Sequence, residues 1–348
     1  MVEACSPFPY ICVVSSKYRT KDLYKGENMA KSLRCYMCSD LHAANRTYRK
    51  LLNAIKNNVY EAQVVLIVGD LTGKAIVPII AQSNGRYAAT FLDRDYLIET
   101  EADLQRLKDN ISDIGYYPYV TDQDEVNALQ SDPAKMTALF HQQMIQRVGE
   151  WVALAEERIG KSGVQFYMMP GNDDDFGVDE MIARSSYVVN PVGKTIELNE
   201  FHEMISFDYA NHTPWHTPRE WEEDEYYERV KASASGLKNV HNAVFMIHVP
   251  PYDSGLDTAP ELDKTMRPKV TMGDVLRVPV GSTGVRRVIQ ELQPLVSVHG
   301  HVHEAGGQSK IGRTTCFNAG SEANQGILRG FVFDLGKDKL DRAFRVQG

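Results

Sequence analysis

Five short apolar runs, each bounded by polar residues, constrain the fold of this chain more than any other feature. They are "LRCYMC" (33–38), "VVLIV" (64–68), "VQFYMM" (164–169), "AVFMI" (243–247) and "LVSV" (295–298). Short runs of apolar and β-branched residues predict buried strands. Helical patterns lie between several of them, at 45–58 and at 283–292, where Ser282 is the expected N-cap. This alternation predicts a layered α/β fold.

The carboxyl-terminal part of the chain changes this pattern. The segments "TTCFNA", "GFVFDL" and "RAFRVQ" follow one another without a helix between them, which predicts antiparallel strands. Parallel and antiparallel strands together predict either one mixed sheet or two stacked sheets.

Two segments interrupt the strand and helix alternation. About ninety residues, 74–163, separate the second strand from the third, and they contain helical patterns and a hairpin pattern at 86–99. We expect this insertion to be either a cap over a site or an oligomerisation element. A smaller insertion, 211–230, carries a dense acidic run and is expected to be a solvated helix. Residues 1–32 are expected to be a weakly ordered leader, so that the main domain spans 33–348.

Charge and cysteine content exclude several classes of function. The 38 basic and 46 acidic residues give a net charge of -8, which argues against bulk binding of nucleic acid. No apolar segment approaches the roughly 18 residues needed to span a bilayer. The 5 scattered cysteines predict a reducing compartment, hence a cytoplasmic protein. We expect a small-molecule partner, and leave open whether the chain forms a homo-oligomer.

Polar residues suited to metal binding follow each of the five predicted strands. They are Asp40 and His42, Asp70, Asn172, His248, and the pair His301 and His303. In α/β sheets, functional groups gather beyond the carboxyl ends of the strands, so these residues are expected to meet in space. His299 points to the other side of its strand and is expected to be packed rather than to bind metal.

These residue types suit a site for two cations that share a carboxylate. Asp70 is the expected bridge, and the remaining ligands divide into Asp40, His42 and His303 for one ion and Asn172, His248 and His301 for the other. Manganese, iron, zinc and cobalt all accept such ligands. The glycines that precede three of these residues, Gly69, Gly171 and Gly300, are expected to give the chain room to turn beside the metals.

The ordered set DxH, GD, GN, H and GHxH resembles the calcineurin-like metallophosphoesterase superfamily over residues 33–330. The phrases "GSTGVRRVIQELQPLVSVHGHVHEA" and "NAGSE" are most similar to its prokaryotic branch related to cyclic-nucleotide phosphodiesterases. The resemblance implies an α+β fold of four layers, in which two mixed β-sheets pack as a sandwich flanked by helices. It also implies a dinuclear centre and hydrolysis of phosphoric esters by a hydroxide that bridges the metals. A phosphomonoesterase, a non-catalytic scaffold and a nuclease are the alternatives.

One position departs from that family pattern. Many members have GNH, whose histidine lies beside the substrate, whereas Asp173 occupies that position here, next to the other catalytic candidate, Asn172. A carboxylate donates a proton near neutral pH only if its pKa is raised, so Asp173 is expected to orient other groups. The missing donor favours phosphodiesters over monoesters. Asp174 and Asp175 are expected at a helix start or in solvent.

Four further residues are candidates for contact with a substrate. Asn45 and Arg46 follow the first strand, Lys74 follows Asp70, and Tyr252 follows His248. Arginine and lysine bind phosphate groups, but a surface position with no such role is the alternative for each of them.

Overall fold

A computed structural model describes residues 32–348 of the chain. The predicted leader, 1–32, therefore lies outside the described residues except for Ser32. Among the described residues, none of the helices combines the length and the apolar character that crossing a bilayer requires.

The secondary structure follows the predicted alternation, with small shifts at the ends of elements. The first part of the described chain contains β1 (Leu33–Cys38), α1 (Asn45–Lys56), β2 (Val64–Val68), β3 (Ile76–Ala81), β4 (Tyr87–Phe91), β5 (Arg94–Ile98), α2 (Glu101–Asp113), β6 (Tyr117–Thr121), α3 (Gln123–Ser131) and α4 (Pro133–Ile159). The middle part contains β7 (Gln165–Met169), α5 (Gly177–Ala183), β8 (Val188–Val189), β9 (Ile196–Glu197), β10 (Glu203–Phe207), β11 (Ala210–Asn211), β12 (Glu220–Trp221), α6 (Glu223–Ala234) and β13 (Val244–Ile247). The last part contains β14 (Thr258–Pro260), β15 (Val270–Thr271), β16 (Asp274–Val275), β17 (Arg277–Pro279), α7 (Thr283–Leu292), β18 (Val296–His299), β19 (Gly307–Ile311), β20 (Thr314–Asn318), β21 (Arg329–Leu335) and β22 (Leu340–Gln347).

Two mixed sheets of six strands form the centre of the fold. The first has the order β22-β21-β1-β2-β7-β8, and the second has the order β19-β20-β18-β13-β10-β9. Apolar side chains of both sheets, such as Met37 and Leu66 from one and Met246 and Val298 from the other, share one buried cluster. The sheets therefore face each other as a sandwich, and the predicted fold class is confirmed.

Helices cover the outer faces of this sandwich. On the first sheet, α1, α4 and α5 pack together, and the ring of Tyr48 stacks on Trp151 with centroids 4.2 Å apart. On the second sheet, α6 and α7 bury their apolar faces. Ser282 caps α7 as expected, because its hydroxyl accepts a hydrogen bond from the Val285 N–H.

The prediction for the carboxyl-terminal strands is partly wrong. The segments that form β21 and β22 do pair antiparallel in the first sheet. The segment "TTCFNA" forms β20, which pairs parallel with β18 and antiparallel with β19 in the second sheet. Strand periodicity does not reveal the partner of a strand, so the sequence pattern cannot distinguish these arrangements.

The insertion 74–163 has a sheet and an apolar cluster of its own. Its strands have the order β5-β4-β3-β6, with the predicted hairpin formed by β4 and β5, and α2 packs on them. The last helix of the insertion, α4, packs on the main sandwich instead, because its residues Val148, Trp151 and Ala155 lie in the apolar cluster on the first sheet. Whether the insertion acts as a cap or in oligomerisation stays a prediction.

The smaller insertion, 211–230, leads into α6. The first turn of that helix is acidic, but Tyr226 and Val230 on its inner face are buried. The helix is therefore amphipathic rather than fully solvated, and the residues before it form a loop between β11 and β12.

Candidate metal centre

The seven candidate ligands lie on loops at the carboxyl ends of β1, β2, β7, β13 and β18. Backbone hydrogen bonds join these loops in pairs, from Asp40 N to Gly69 O at 3.0 Å, from His42 N to Asp70 O at 3.0 Å, and from Gly300 N to His248 O at 2.9 Å. These bonds tie the loop after β1 to the loop after β2, and the loop after β18 to the loop after β13.

Two groups of side chains form the centre, and Asp70 belongs to both. In the first group, Asp70, Asp40, His42 and His303 place one potential ligand atom each within 4.8 Å of one another. In the second, Asp70, His248 and His301 do the same. The Asp70 Oδ2 lies 3.8 Å from His42 Nε2, while its Oδ1 lies 3.4 Å from His248 Nε2. Each oxygen of this carboxylate therefore faces one group, as a bridging ligand does.

Asn172 completes the second group. Its Oδ1 lies 2.9 Å from His248 Nε2 and 2.7 Å from His301 Nδ1. The structure thus brings together all seven residues that the sequence nominated, and it divides them as expected from the sequence. Asp40, Asp70, Asn172 and His248 are buried, whereas the other three histidines are partly exposed.

Hydrogen bonds to backbone carbonyls orient two of the imidazoles. The Nδ1 of His42 lies 3.2 Å from Thr72 O, and the Nδ1 of His248 lies 2.8 Å from Val68 O. Because a carbonyl oxygen only accepts, each Nδ1 must donate, and in a neutral ring the Nε2 then presents its lone pair. The His42 Nε2 faces His303 Nε2 at 3.0 Å, among carboxylate oxygens. This convergence of electron pairs fits a cation.

The histidines of the centre differ in their electrostatics, and each group contains one whose pKa is lowered and one whose pKa is raised. Burial lowers the pKa of His42 and of His301 to about 4, so both rings are neutral and suited to bind metal. Burial also opposes the charged form of His248, but the carboxylates of Asp70 and Asp40 outweigh it and raise the pKa to about 10. Without a cation this ring holds a proton that metal binding would displace.

The backbone of the ligand loops is strained. Asp40, His42, Asp70 and His301 have φ values of 53°, 43°, 51° and 65°, in the left-handed region that non-glycine residues seldom adopt. Such strain persists only where the surroundings enforce it, and it concentrates at functional sites. No sequence pattern indicated it at these ligand positions.

The three glycines make room for ligand residues. Of these, Gly69 alone has a positive φ, 93°, and a Cβ there would lie 2.1 Å from His248 Nδ1. A Cβ on Gly171 would lie 2.3 Å from Asp70 N, and one on Gly300 would lie 2.5 Å from Asp40 Oδ2. Their absent side chains therefore allow the five loops to approach each other.

Asp174 does not lie in solvent, and that part of the prediction is wrong. Its carboxylate is fully buried and accepts hydrogen bonds from Leu71 N, Thr72 N, Thr72 Oγ1 and Gly171 N at 2.6–2.9 Å. Burial and the nearby Asp70 raise its pKa to about 6, against these hydrogen bonds. Asp175 does lie at a helix start, where its Oδ1 accepts from Gly177 N at 2.8 Å.

Asp173 lies beside Lys74 at the edge of the centre. The Lys74 Nζ is 3.0 Å from Asp173 Oδ2, and the Asp173 N–H donates to Asp70 Oδ1 at 3.1 Å. Burial and the charge of Asp70 raise the pKa of Asp173, while Lys74 opposes this shift. Asp173 is therefore paired with a cation, which reduces the negative charge that it presents to a substrate.

The other candidates for substrate contact have partners elsewhere. Asn45 Oδ1 accepts a hydrogen bond from Trp151 Nε1 at 2.7 Å, and Arg46 Nε lies 3.3 Å from Asp113 Oδ2. Tyr252 is exposed, and its N–H donates to Ser282 O at 2.9 Å. His299 is buried, with its Nδ1 3.0 Å from the carbonyl oxygens of Ile247 and Val249, which confirms that it is packed.

Sequence reasoning missed the loop that precedes α6. Thr217 Oγ1 accepts a hydrogen bond from Asn172 Nδ2 at 3.0 Å and itself donates to Glu220 Oε1 at 2.7 Å. Arg219, which is buried, donates to the carbonyl oxygens of Asp174 and Asp175 at 2.9 and 3.0 Å. These residues hold the loop that carries Asn172. No motif marks them, and the contact with Asn172 spans 45 positions in sequence.

Comparisons with known proteins support the fold more than the chemistry. No protein-family model matches the chain. Uncharacterized protein MJ1162 of Methanocaldococcus jannaschii is 28% identical over 175 residues, which cover 49% of this chain and 68% of that protein.

Two solved structures align with nearly the whole chain. TT1561 of Thermus thermophilus superposes with a TM-score of 0.50 at 11% identity, covering 91% of this chain and 99% of that one. The sulfate thiohydrolase SoxB, also from Thermus thermophilus, has a TM-score of 0.37 at 13% identity, covering 93% of this chain and 57% of that one. At these identities the likeness concerns the fold alone, and the score for SoxB is too low to carry an argument.

Proposed function

We propose that this chain is a metal-dependent phosphoesterase of the calcineurin-like type, with two metal ions bound by the seven ligands. One observation carries the proposal: the Asp70 carboxylate directs one oxygen to each of two groups of histidine and carboxylate or amide ligands. Two cations that share a carboxylate sit about 4 Å apart, a spacing typical of enzymes that displace a group at phosphorus.

The donor chemistry supports this proposal and limits the metals. Imidazole, carboxylate and amide ligands suit manganese, iron, zinc or cobalt, and the set does not discriminate among them. When bound, two such ions would supply positive charge beside the phosphoryl oxygens. They would also lower the pKa of a bound water, so that hydroxide is available near neutral pH. The proposal therefore requires no separate side-chain base.

Residues of the chain itself position the substrate beside the ligands. Lys74 carries a positive charge 3.0 Å from Asp173, so its ammonium can donate to a phosphoryl oxygen as a second anionic partner. Asp173 holds Lys74 toward the centre and is itself fixed by its N–H bond to Asp70. We assign Asp173 an orienting role, because an ion-paired carboxylate is a poor proton donor.

A phosphodiester is the substrate class that we favour. The family histidine that donates a proton to the leaving group is replaced by Asp173, which favours esters with good leaving groups. A diester also carries one negative charge where a monoester dianion carries two. The Asp173 carboxylate should therefore repel a monoester more than a diester. Lys74 weakens this argument, because its charge offsets that of Asp173. The ion pair is thus the observation that keeps a phosphomonoesterase as the second candidate.

The test combines metal content with a substrate panel. Purified protein is reconstituted with manganese or zinc, analysed for bound metal, and assayed on bis-p-nitrophenyl phosphate, p-nitrophenyl phosphate and cyclic nucleotides. We expect two ions per chain and a higher kcat/KM on the diester. Asp70→Asn should abolish turnover while the fold, followed by circular dichroism, is retained. Asp173→His should raise monoesterase activity.

Each alternative predicts a different result in the same panel. A non-catalytic scaffold would bind no metal or would turn over none of the esters, and a nuclease would act on circular DNA instead. The diester argument would be contradicted if the wild type prefers monoesters and Asp173→His leaves that preference unchanged. Activity that a chelator does not reduce would contradict the metal centre itself.

A further inference from the structure

An apolar cavity of about 430 Å³ lies inside the insertion 74–163. It is bounded by β3, β6, α3 and α4, and its hydrocarbon lining consists mainly of Ile76, Pro78, Val126, Leu129, Met136 and Phe140. These side chains come from elements of the insertion, so the cavity depends on how that segment folds. Nothing in the metal chemistry requires it.

The lining restricts what the cavity can bind. A sugar placed there would lose its hydrogen bonds to water, and among the lining residues only Lys74, Tyr119, Gln130 and Thr137 have side chains that could replace them. A hydrocarbon group, in contrast, gains free energy in proportion to the apolar surface that it buries. The cavity therefore fits an aromatic ring or an alkyl chain.

Lys74 connects this cavity to the metal centre. Lys74 is one of the residues that line the cavity, and its Nζ lies 3.0 Å from Oδ2 of Asp173, the neighbour of Asn172. The insertion is also held on the ligand loops, because Gly73 N donates to Tyr117 Oη at 2.7 Å and a Cβ on Gly73 would touch Gly115 O. Lys74 therefore borders both the cavity and the edge of the metal centre.

We infer that the cavity is a specificity pocket for an uncharged hydrocarbon substituent of the phosphoester. This role rests on the proposed phosphoesterase function, which supplies the phosphoryl group at the metals. A second cavity, of about 470 Å³, carries no such inference. It is lined by residues such as Arg34, Glu61 and Gln63 at the opposite ends of β1 and β2, away from the metal centre.

The test measures binding rather than turnover. Phenylphosphonate and methylphosphonate are titrated into metal-loaded full-length protein by calorimetry, at a pH where both are dianions. Both present the same phosphoryl group, and neither contains a bond that the enzyme can hydrolyse. We expect phenylphosphonate to bind about 10-fold or more tightly than methylphosphonate, because burial of a phenyl ring contributes at least that factor.

Two variants on α4 locate the effect. Thr137 lines the cavity and is exposed, so Thr137→Trp should fill the space and remove the preference without disturbing a buried side chain. Gln142, exposed on the same helix and not part of the lining, provides Gln142→Trp as the matched control, which should keep the preference. Metal content and thermal unfolding of both variants establish that they are folded.

The outcomes separate this inference from the proposed function. Equal affinity for both phosphonates, or a preference that Thr137→Trp does not change, overturns the pocket even if the protein hydrolyses diesters. If Thr137→Trp removes the preference for phenylphosphonate, the result supports the pocket. This holds even if the protein turns over none of the esters in the activity panel, and in that case only the proposed function fails.

Discussion

The hydrogen bond between Thr217 and Asn172 predicts a selective loss of metal affinity. Asn172 Nδ2 donates to Thr217 Oγ1 at 3.0 Å, which directs the Asn172 Oδ1 toward His248 and His301. Thr217→Val keeps the shape of the side chain and removes the acceptor. The amide of Asn172 then loses its fixed orientation, so the metal held by this group should bind more weakly.

The magnitude follows from what the substitution removes. A hydrogen bond of this kind contributes about 1 kcal/mol, or roughly a 5-fold change in affinity. Loss of a group that orients a metal ligand typically costs about 10- to 100-fold, so we expect about 10-fold or more. Glu220 Oε1 also loses the Thr217 hydroxyl, at 2.7 Å, but retains the N–H of Thr217 and the hydroxyl of Thr213 as donors.

Competition against a chromophoric chelator resolves the two stepwise dissociation constants. Only the constant of the ion bound by Asn172, His248 and His301 should rise. Thr217→Ser keeps the hydroxyl and should restore wild-type affinity. Thr213→Val removes the other hydroxyl on Glu220 Oε1 without contact to Asn172, and it should leave both constants unchanged. If Thr217→Val raises both dissociation constants equally, or changes neither of them, the positioning role of Thr217 is refuted.

Two predictions concern stability. Asp174→Ala removes the acceptor of hydrogen bonds from Leu71, Thr72 and Gly171, and urea titration should show a loss of about 3–5 kcal/mol, with a smaller loss for Asp174→Asn. The Glu220 side chain is largely buried; burial alone would raise its pKa, but hydrogen bonds from Thr213 and Thr217 lower it to about 2. The ionised Glu220 therefore stabilises the fold fully above its unfolded pKa of about 4.5, and this stabilisation is lost as the pH falls toward 2. The free energy of unfolding of Glu220→Gln should be lower than that of the wild type by about 3 kcal/mol at pH 7. This difference should shrink below pH 4.5. A difference independent of pH would contradict this assignment.

The positions of the candidate metal ligands were predictable because they follow from strand geometry. A short apolar run predicts a strand, and a polar residue just beyond its carboxyl end is placed at the edge of the sheet where other such residues gather. Asp40, Asp70 and His248 all satisfy this rule. The rule requires only the identity of neighbouring residues in the chain, which can be read from the sequence.

The groups that support the ligands were not predictable from the same information. Asp173, Asp174 and Asp175 are identical in type, yet one pairs with Lys74, one is buried among backbone N–H groups, and one accepts a hydrogen bond from the first N–H of α5. Their roles depend on which loops pack around them, and that is a property of the tertiary fold. The same holds for Thr217, which reaches Asn172 from a loop with no motif.

The supporting groups divide into two kinds, and the division explains why their variants should behave differently. Asp174 joins the loop after β2 to the loop after β7, so that its removal frees buried donors on both loops and lowers the stability of the fold. Thr217 touches one side chain amide of the centre, and Thr217→Val frees no backbone donor, so this change should affect metal affinity more than stability. The strained φ values of Asp40, Asp70 and His301 show that these loops are held against their own preference. Asp174 supplies a rigid support for the loop that carries Asp70, and Thr217 then sets the direction of the Asn172 amide.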